Sequence, residues 1–448
     1  MCGIVGIYNH SEAATLTYLC LYALQHRGQE GVGIATFDGN RSHVKKGDGL
    51  VSEVFTSRDQ LQQLAGRIAV GHVRYSTYGG SNLANVQPLI FKYKDTHIAI
   101  VHNGNLINLK PIKQELEEQG TLFQTSSDTE FIIHLFAHAK GDSFDEKMRQ
   151  ALSRLEGAFS LIALFDDKMV IARDRHGYRP LCIGRIKDGF VFASETCALD
   201  LIGAIYERDI QPGEMLVLEN DAMREYTFAS PTPHHCIFEY VYFSRPDSRI
   251  FGEYVDKTRR KLGKNLALEK PVPNADIIIS VPDSSNTTAL GFSQRSTARF
   301  EIGLIRNHYI GRTFIHPNQA MRDFSAKIKF NPIGGVLKDR SVVVVDDSIV
   351  RGTTLQQLVR MIREAGAREV HIRIGSPPVK FPCFFGMDFP STEELIANHR
   401  NITELQEFLQ VDSLAYISVE GLLNSMPLPA SHFCTACFTG DYCEKINR

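Results

Sequence analysis

The sequence predicts two domains of different class: an α+β domain with antiparallel sheets, then an α/β domain built on a parallel sheet. Three observations carry this reading. In the first half, short apolar strands come in pairs joined by polar turns, as in Phe165–Asp166–Asp167–Lys168 and Ile186–Lys187–Asp188–Gly189, the pattern of antiparallel hairpins. In the second half the order becomes strand, loop, helix, strand, which builds parallel sheets. Between them, Ala229–Ser230–Pro231–Thr232–Pro233 reads as a linker. The expected domains are residues 2–230 and 231–448. A chain of 448 residues is long enough for two cores.

In chain order, Gly3–Tyr8, Gly31–Phe37, Ile68–Gly71, Thr96–Val101, Phe159–Phe165, Met169–Arg173 and Gly189–Ala193 are short runs rich in apolar and β-branched residues, suited to strands. Ala14–Leu24 and Thr129–Ala139 read as helices. The second is entered through Ser126, Ser127 and Asp128, residue types that cap helix N-termini. Past the seam, Ile277–Val281 and Ser341–Val345 are buried strands. Thr354–Ala365 is a helix stopped by Gly366, and Val370–Ile374 is the next strand. Helices beside antiparallel sheets imply a layered packing in the first half.

Charge excludes several functions. The chain has 49 basic and 51 acidic residues and a formal net charge of -2, which favours neither a nucleic-acid groove nor a membrane surface. No apolar run reaches the roughly 20 residues of a spanning helix, and the first residues lack a signal-peptide pattern. A cytoplasmic enzyme is expected. Nine cysteines, an odd number, argue against a disulfide framework.

Cys2 can become the first residue once Met1 is removed, and then carries a thiolate nucleophile and its own amine base. Three polar segments sit among glycines and strands: Gln25–Gly31, Gly71–Gly79 and Val101–Asn105. The fork of Arg74 matches a carboxylate. The Asn103 amide and Gly104 backbone suit an oxyanion. Asp128 has two readings, as acceptor of a substrate amine or as a helix cap.

Four valines, Val342–Val345, lead to Asp346–Asp347–Ser348, then Gly352–Thr353–Thr354 and a helix. Two carboxylates leaving the C-terminal end of such a strand suit ribose hydroxyls and a hard cation. Amides at the following helix start suit a phosphate. Near the C-terminus, Cys434 and Cys437 form a C-x-x-C pair, with Cys383 and Cys236 upstream. Four thiolates bind either zinc or an iron–sulfur cluster, and their spacing does not choose.

Cys2–Gly6, Gln25–Gln29, His72–Thr77 and Asn103–Asn105 together resemble the glutamine amidotransferase domain of the N-terminal-nucleophile class. The resemblance implies a four-layer αββα sandwich. It implies Cys2 as nucleophile, Asn103 and Gly104 as oxyanion hole, and Arg27, Arg74 and Asp128 as glutamine-binding residues. The segment Val342–Thr354 resembles the type I phosphoribosyltransferase signature. With Ser280–Ser284, Gly303–Asn307, Tyr309–Ile315 and Lys327–Asn331, the second half is similar to the glutamine phosphoribosylpyrophosphate amidotransferase family.

By that resemblance Asp346 and Asp347 hold ribose, and Ser348, Gly352, Thr353 and Thr354 hold the 5-phosphate. Ser284 lies in the pyrophosphate loop, and Ser284, Asp346 and Asp347 bind magnesium. The stretch Arg322–Lys338 corresponds to a flexible loop that closes over the substrate. The family reaction turns phosphoribosylpyrophosphate, glutamine and water into 5-phosphoribosylamine, glutamate and pyrophosphate, opening purine biosynthesis. The motif His432–Tyr442 resembles the cluster-containing branch, which implies one [4Fe–4S] cluster on Cys236, Cys383, Cys434 and Cys437 and leaves Cys443 a bystander. Cys20, Cys182 and Cys197 are expected in cores. The resemblance further implies a homotetramer or homodimer and feedback inhibition by purine nucleotides, and ordinary methionine removal is expected to expose Cys2.

Overall fold

The computed structural model describes residues 1–75, 83–187, 189–307, 329–389 and 391–446. The first domain contains two antiparallel sheets. One has seven strands, in the order Ile205–Asp209, Cys182–Ile186, Gly189–Ala193, Gly3–Tyr8, Ile68–Arg74, Gly31–Phe37, Ser42–Asp48. The other has six, in the order Ala222–Thr227, Glu214–Glu219, Lys168–Arg173, Gly157–Phe165, Thr96–Leu106, Leu89–Tyr93.

Alternation in the central strands separates two cores across each sheet. Ile4 and Tyr8 of the first strand point inward with Ile162, Ile171 and Leu216 of the facing sheet. Val5 and Ile7 point the other way, onto the helix Ala13–Ala23 and onto Ala198 and Leu199 of the helix Thr196–Leu201. The second sheet carries Leu109–Glu118, Thr129–His138 and Phe144–Ser153 on its outer face. The order is therefore helix, sheet, sheet, helix, the expected αββα sandwich.

The second domain holds a five-stranded parallel sheet with Ser341–Asp346 at its centre, between Ile277–Ser280 and Glu369–Ile374. Val342 and Val344 face the helices Thr353–Glu364 and Ile402–Leu409. Val343 and Val345 face Val255–Glu269 and Asn286–Ser293. Both faces are covered, which explains a run of four valines without a polar break.

The domains are not strung on a free linker. His235–Cys236 pairs in parallel with Phe433–Cys434, so the seam and the C-terminal tail form one small ladder. Asn105 Nδ2 donates to the Phe384 carbonyl at 2.8 Å and Arg179 Nε to the Phe385 carbonyl at 3.1 Å. A loop of the second domain thus lies against the first.

Two expectations change. The strand expected at Thr96–Val101 runs on to Leu106 and pairs along its length with Gly157–Phe165. His102, Asn103 and Gly104 therefore sit in a sheet rather than a loop, because the register continues through them. The C-terminal part of the expected flexible stretch is also regular. Phe330–Pro332 pairs with Leu304–Arg306, and Gly334–Leu337 is a helical turn with Leu337 buried. Residues 76–79, 309–315 and 322–328 of the motifs noted above lie outside the described residues. No described helix is long and apolar enough to cross a membrane.

Candidate active sites

Cys2 opens the first strand at the end of the sandwich. Its backbone N–H donates to Asn103 Oδ1 at 3.1 Å, its thiol reaches the Tyr75 carbonyl at 3.5 Å, and its carbonyl accepts from Arg27 Nε at 3.0 Å. With Met1 attached this nitrogen is an amide, not a base. The Met1 amine is buried, and that burial pushes it down to about 5.

Asn103 is fully buried, and its Nδ2 has no hydrogen-bond partner. A buried orphan donor beside a nucleophile is what an oxyanion hole needs. Gly104 must lack a side chain, since a Cβ would stand 1.9 Å from the Ala158 carbonyl oxygen.

Asp128 does not cap its helix; its side chain makes no capping hydrogen bond. Its Oδ2 accepts from the Leu106 N–H at 3.1 Å, and its Oδ1 lies 3.5 Å from His102 Nδ1. Burial works to raise this carboxyl, but His102 and the hydrogen bonds outweigh it and hold it below the usual range. A buried, ionised carboxylate is thus kept near Asn103. Arg74 ends the strand Ile68–Arg74 and is buried.

Arg27, expected from the resemblance to bind glutamine, lies fully buried beside Cys2. Its guanidinium is fully buried and engaged by Glu195 and by both Glu239 oxygens, at 2.8 and 3.1 Å, while its Nε holds the Cys2 carbonyl. Glu195 also accepts from Ser248 at 2.7 Å and from the Arg245 N–H at 2.9 Å. Burial works to raise Glu195, but His26 at 2.7 Å, the Arg27 charge and the Ser248 bond outweigh it and hold Glu195 far below its ordinary range. Sequence reading missed Glu195 and Glu239, because nothing local marks a carboxylate that meets an arginine 168 or 212 positions away.

In the second domain Asp346 and Asp347 emerge at the C-terminal end of the central parallel strand. Ser284 Oγ donates to Asp347 Oδ2 at 2.6 Å, Ser348 Oγ to Asp347 Oδ1 at 2.7 Å, and Ser285 Oγ to Asp346 Oδ1 at 3.1 Å. Burial raises both carboxyls, and the Asp347 charge raises Asp346 further. Gly352 caps the helix Thr353–Glu364 in the left-handed region, with φ of 75°. A Cβ there would press on Ile396 at 2.9 Å. Ser284, Asp347, Arg259 and Arg306 line one cavity of about 490 Å³, and the two basic residues suit a polyanion.

A second cavity of about 390 Å³ joins the two halves. Ser348, Gly352, Thr353 and Thr354 line one side; Met1 and Tyr75 line another, with Phe238, Phe243 and Phe389 among its apolar walls. Cys2 touches Tyr75 and follows Met1, so its thiol borders the cavity that Asp346, Ser348 and Thr354 line from the other side.

Cys236, Cys383, Cys434 and Cys437 line a further small apolar pocket, and none is in a disulfide. Burial pushes Cys236 up to about 11 and raises Cys434 and Cys437 well above their ordinary value. Cys20, Cys182 and Cys197 are buried in the first domain's core, as expected. Cys443 is not isolated: with His176 and His234 it forms a group whose ligand atoms lie within 4.8 Å of one another.

A family model for a glutamine amidotransferase domain matches residues 72–201. The chain is 50% identical over 447 residues to amidophosphoribosyltransferase 2, chloroplastic, of Arabidopsis thaliana, covering 99% of this chain and 79% of that protein. It is 45% identical over 451 residues to the amidophosphoribosyltransferase of Bacillus subtilis strain 168, covering 99% and 94%. Among solved structures it is similar to glutamine phosphoribosylpyrophosphate amidotransferase from B. subtilis complexed with ADP and GMP. That match has a TM-score of 0.94 and 44% identity over 100% of this chain and 98% of that one. A thiol beside an orphan amide, a carboxylate loop lining a cavity with basic residues, and full-length identity at this level agree: the chain belongs to the amidophosphoribosyltransferase family.

Proposed function

We propose that this chain transfers the amide nitrogen of glutamine to phosphoribosylpyrophosphate through two sites joined by the Met1-lined cavity. That cavity is the observation that carries the reading, because it puts the Met1–Cys2 end of the first domain and the Asp346–Thr354 loop on one short path for ammonia. Removal of Met1 converts the Cys2 amide into an amine and empties one wall of the passage.

The amine then takes the thiol proton, and sulfur attacks the glutamine amide carbon. Negative charge moves to the amide oxygen, where Asn103 Nδ2 and the Gly104 N–H receive it. Collapse expels nitrogen as ammonia and leaves a thioester, which water opens to glutamate. Arg74 pairs with the glutamine carboxylate and Asp128 with its amine. Arg27 holds the Cys2 carbonyl and so fixes the direction of attack.

In the second domain Asp346 and Asp347 bind the ribose hydroxyls, and Ser348, Gly352, Thr353 and Thr354 bind the 5-phosphate at the helix start. Ammonia forms a bond to C1 as the C1–O bond to pyrophosphate breaks. Arg259 and Arg306 face the departing charge. Ser284, Asp346 and Asp347 offer only oxygens, around two carboxyls raised by burial, which fits magnesium. These residues would hold magnesium, which when bound would supply positive charge for the leaving pyrophosphate.

The four cysteines fit a cluster better than a single ion. Tetrahedral zinc with Zn–S of about 2.3 Å needs sulfurs about 3.8 Å apart. Among the described residues, the only group of three ligand atoms within 4.8 Å is the one containing His176. A [4Fe–4S] cluster on Cys236, Cys383, Cys434 and Cys437 would serve structurally, tying the seam to the tail. Units of residues 2–230 and 231–448, a homotetramer or homodimer, cytoplasmic placement and purine-nucleotide inhibition complete the proposal. Support for nucleotide control is the B. subtilis structure solved with ADP and GMP.

The test measures glutamate, pyrophosphate and phosphoribosylamine together. All three should form in equal amounts. Cys2→Ser should abolish the glutamine reaction and spare the reaction driven by added ammonia. Asp347→Asn should abolish both syntheses while basal glutamine hydrolysis persists. Glutamate without pyrophosphate from the unmodified chain would refute coupling.

A further inference from the structure

The group formed by His176, His234 and Cys443 lies outside both reaction sites and outside the four-cysteine pocket. His176 and His234 come from the first domain and its exit, Cys443 and Glu444 from the C-terminal tail. All four line one cavity of about 510 Å³.

The hydrogen bonds orient the rings. His176 Nδ1 lies 2.7 Å from the Thr232 carbonyl oxygen, and His234 Nδ1 lies 2.9 Å from the same oxygen. A carbonyl only accepts, so both rings carry a proton on Nδ1 and keep Nε2 for another partner. A backbone carbonyl on the far nitrogen is also the usual support of a metal-binding histidine. His176 Nε2 stands 3.1 Å from Glu444 Oε1. A bare lone pair and a carboxylate repel at that distance, so a positive centre must lie between them, either a proton or a metal ion. Glu444 Oε2 is buried with no hydrogen-bond partner. The Tyr178 hydroxyl, 2.7 Å from Cys443 Sγ, is placed to donate to a thiolate.

We propose that His176 Nε2, His234 Nε2 and Cys443 Sγ form a site for one zinc-class divalent ion that clamps the C-terminal tail to the first domain, with the Glu444 carboxylate beside the His176 ring. Two imidazoles and one thiolate suit a tetrahedral, borderline-soft ion. The ligands come from two distant parts of the chain, so the ion would serve as a structural clamp. Binding displaces the thiol proton and the proton on His176 Nε2, and affinity therefore falls with acid. Cys443 is exposed and His234 is half-buried, so the tail can close the remaining distance.

Cobalt(II) is the probe, titrated anaerobically into the purified full-length enzyme. The expected result is one equivalent bound, with a thiolate-to-cobalt charge-transfer band, tetrahedral d–d bands, and displacement by zinc. Cys443→Ser should remove the charge-transfer band and His234→Gln should weaken binding at least tenfold. Both should keep the circular dichroism of the parent, since neither side chain is fully buried. Zinc should slow proteolysis of the tail in the parent and not in these variants. A band that survives Cys443→Ser places the ion on other thiolates and overturns the assignment, as does the lack of stoichiometric binding to the parent.

Discussion

Replacing Asn103 by alanine removes two interactions of known geometry. One is the orphan Nδ2, assigned to the oxyanion; deleting one such donor costs about 2.7–4 kcal/mol of transition-state stabilisation. The other is the 3.1 Å bond from the Cys2 nitrogen to Oδ1, worth about 0.5–1.5 kcal/mol. Together they amount to about 3–5 kcal/mol, or roughly 10²–10⁴ in rate at 1.36 kcal/mol per decade. The assay compares glutamine-driven with ammonia-driven synthesis in Asn103→Ala. The glutamine kcat should fall by that factor, while the ammonia-driven rate stays within about twofold, because Asn103 touches only the first site. The hole left by the buried amide makes the ammonia arm the control for folding. A fall of less than tenfold with glutamine, or an equal fall in both reactions, would refute the assignment.

Three other perturbations probe the surroundings. Glu195→Gln removes one of the two charges that balance buried Arg27 and should cost about 3–5 kcal/mol in urea unfolding, the range for breaking a buried ion pair. Gly386 has φ of 96°, and a Cβ there would lie 3.2 Å from the Gly104 backbone. Gly386→Ala should therefore lower stability in urea unfolding by roughly 1–2 kcal/mol of left-handed strain, and lower glutamine hydrolysis more than the ammonia-driven rate because the new Cβ presses on the Gly104 backbone. His72 is fully buried without partners, and burial followed by the Arg74 charge holds its pKa well below the ordinary value. Its unfolded form takes up a proton as pH drops through about 6.5 while the folded form stays neutral, so stability is present above that pH and lost below it. The stability lost between pH 7 and 5.5 should be about 1 kcal/mol smaller in His72→Leu, measured by urea unfolding at both values; an unchanged difference would show that His72 titrates normally.

Much of the fold was legible because local pattern and tertiary position agree. Gly3–Tyr8 and Gly31–Phe37 have the predicted bounds, since apolar runs ending at polar turns stop where pairing stops. Thr96–Leu106 was longer than its apolar run. Its polar end is held by register with Gly157–Phe165, which no local propensity records. Asp128 shows the same limit. Its type and place left two readings, a cap or an acceptor of a substrate amine, and only its packing against His102 and Leu106 removed the cap.

By itself the sequence determined the chemistry on offer: a thiol that can become N-terminal, an amide–glycine pair in reach of a strand end, and two carboxylates leaving a valine strand. These are local, because short motifs encode reactive groups and the backbone that presents them. The tertiary structure decided their partnership. It closed Arg27 between Glu195 and Glu239 and left Asn103 Nδ2 unpaired. It also brought Met1 and Thr354 to one cavity and moved Cys443 from bystander to neighbour of two histidines. Burial and pairing between residues hundreds of positions apart are products of packing, and only the packed chain reveals which charge meets which.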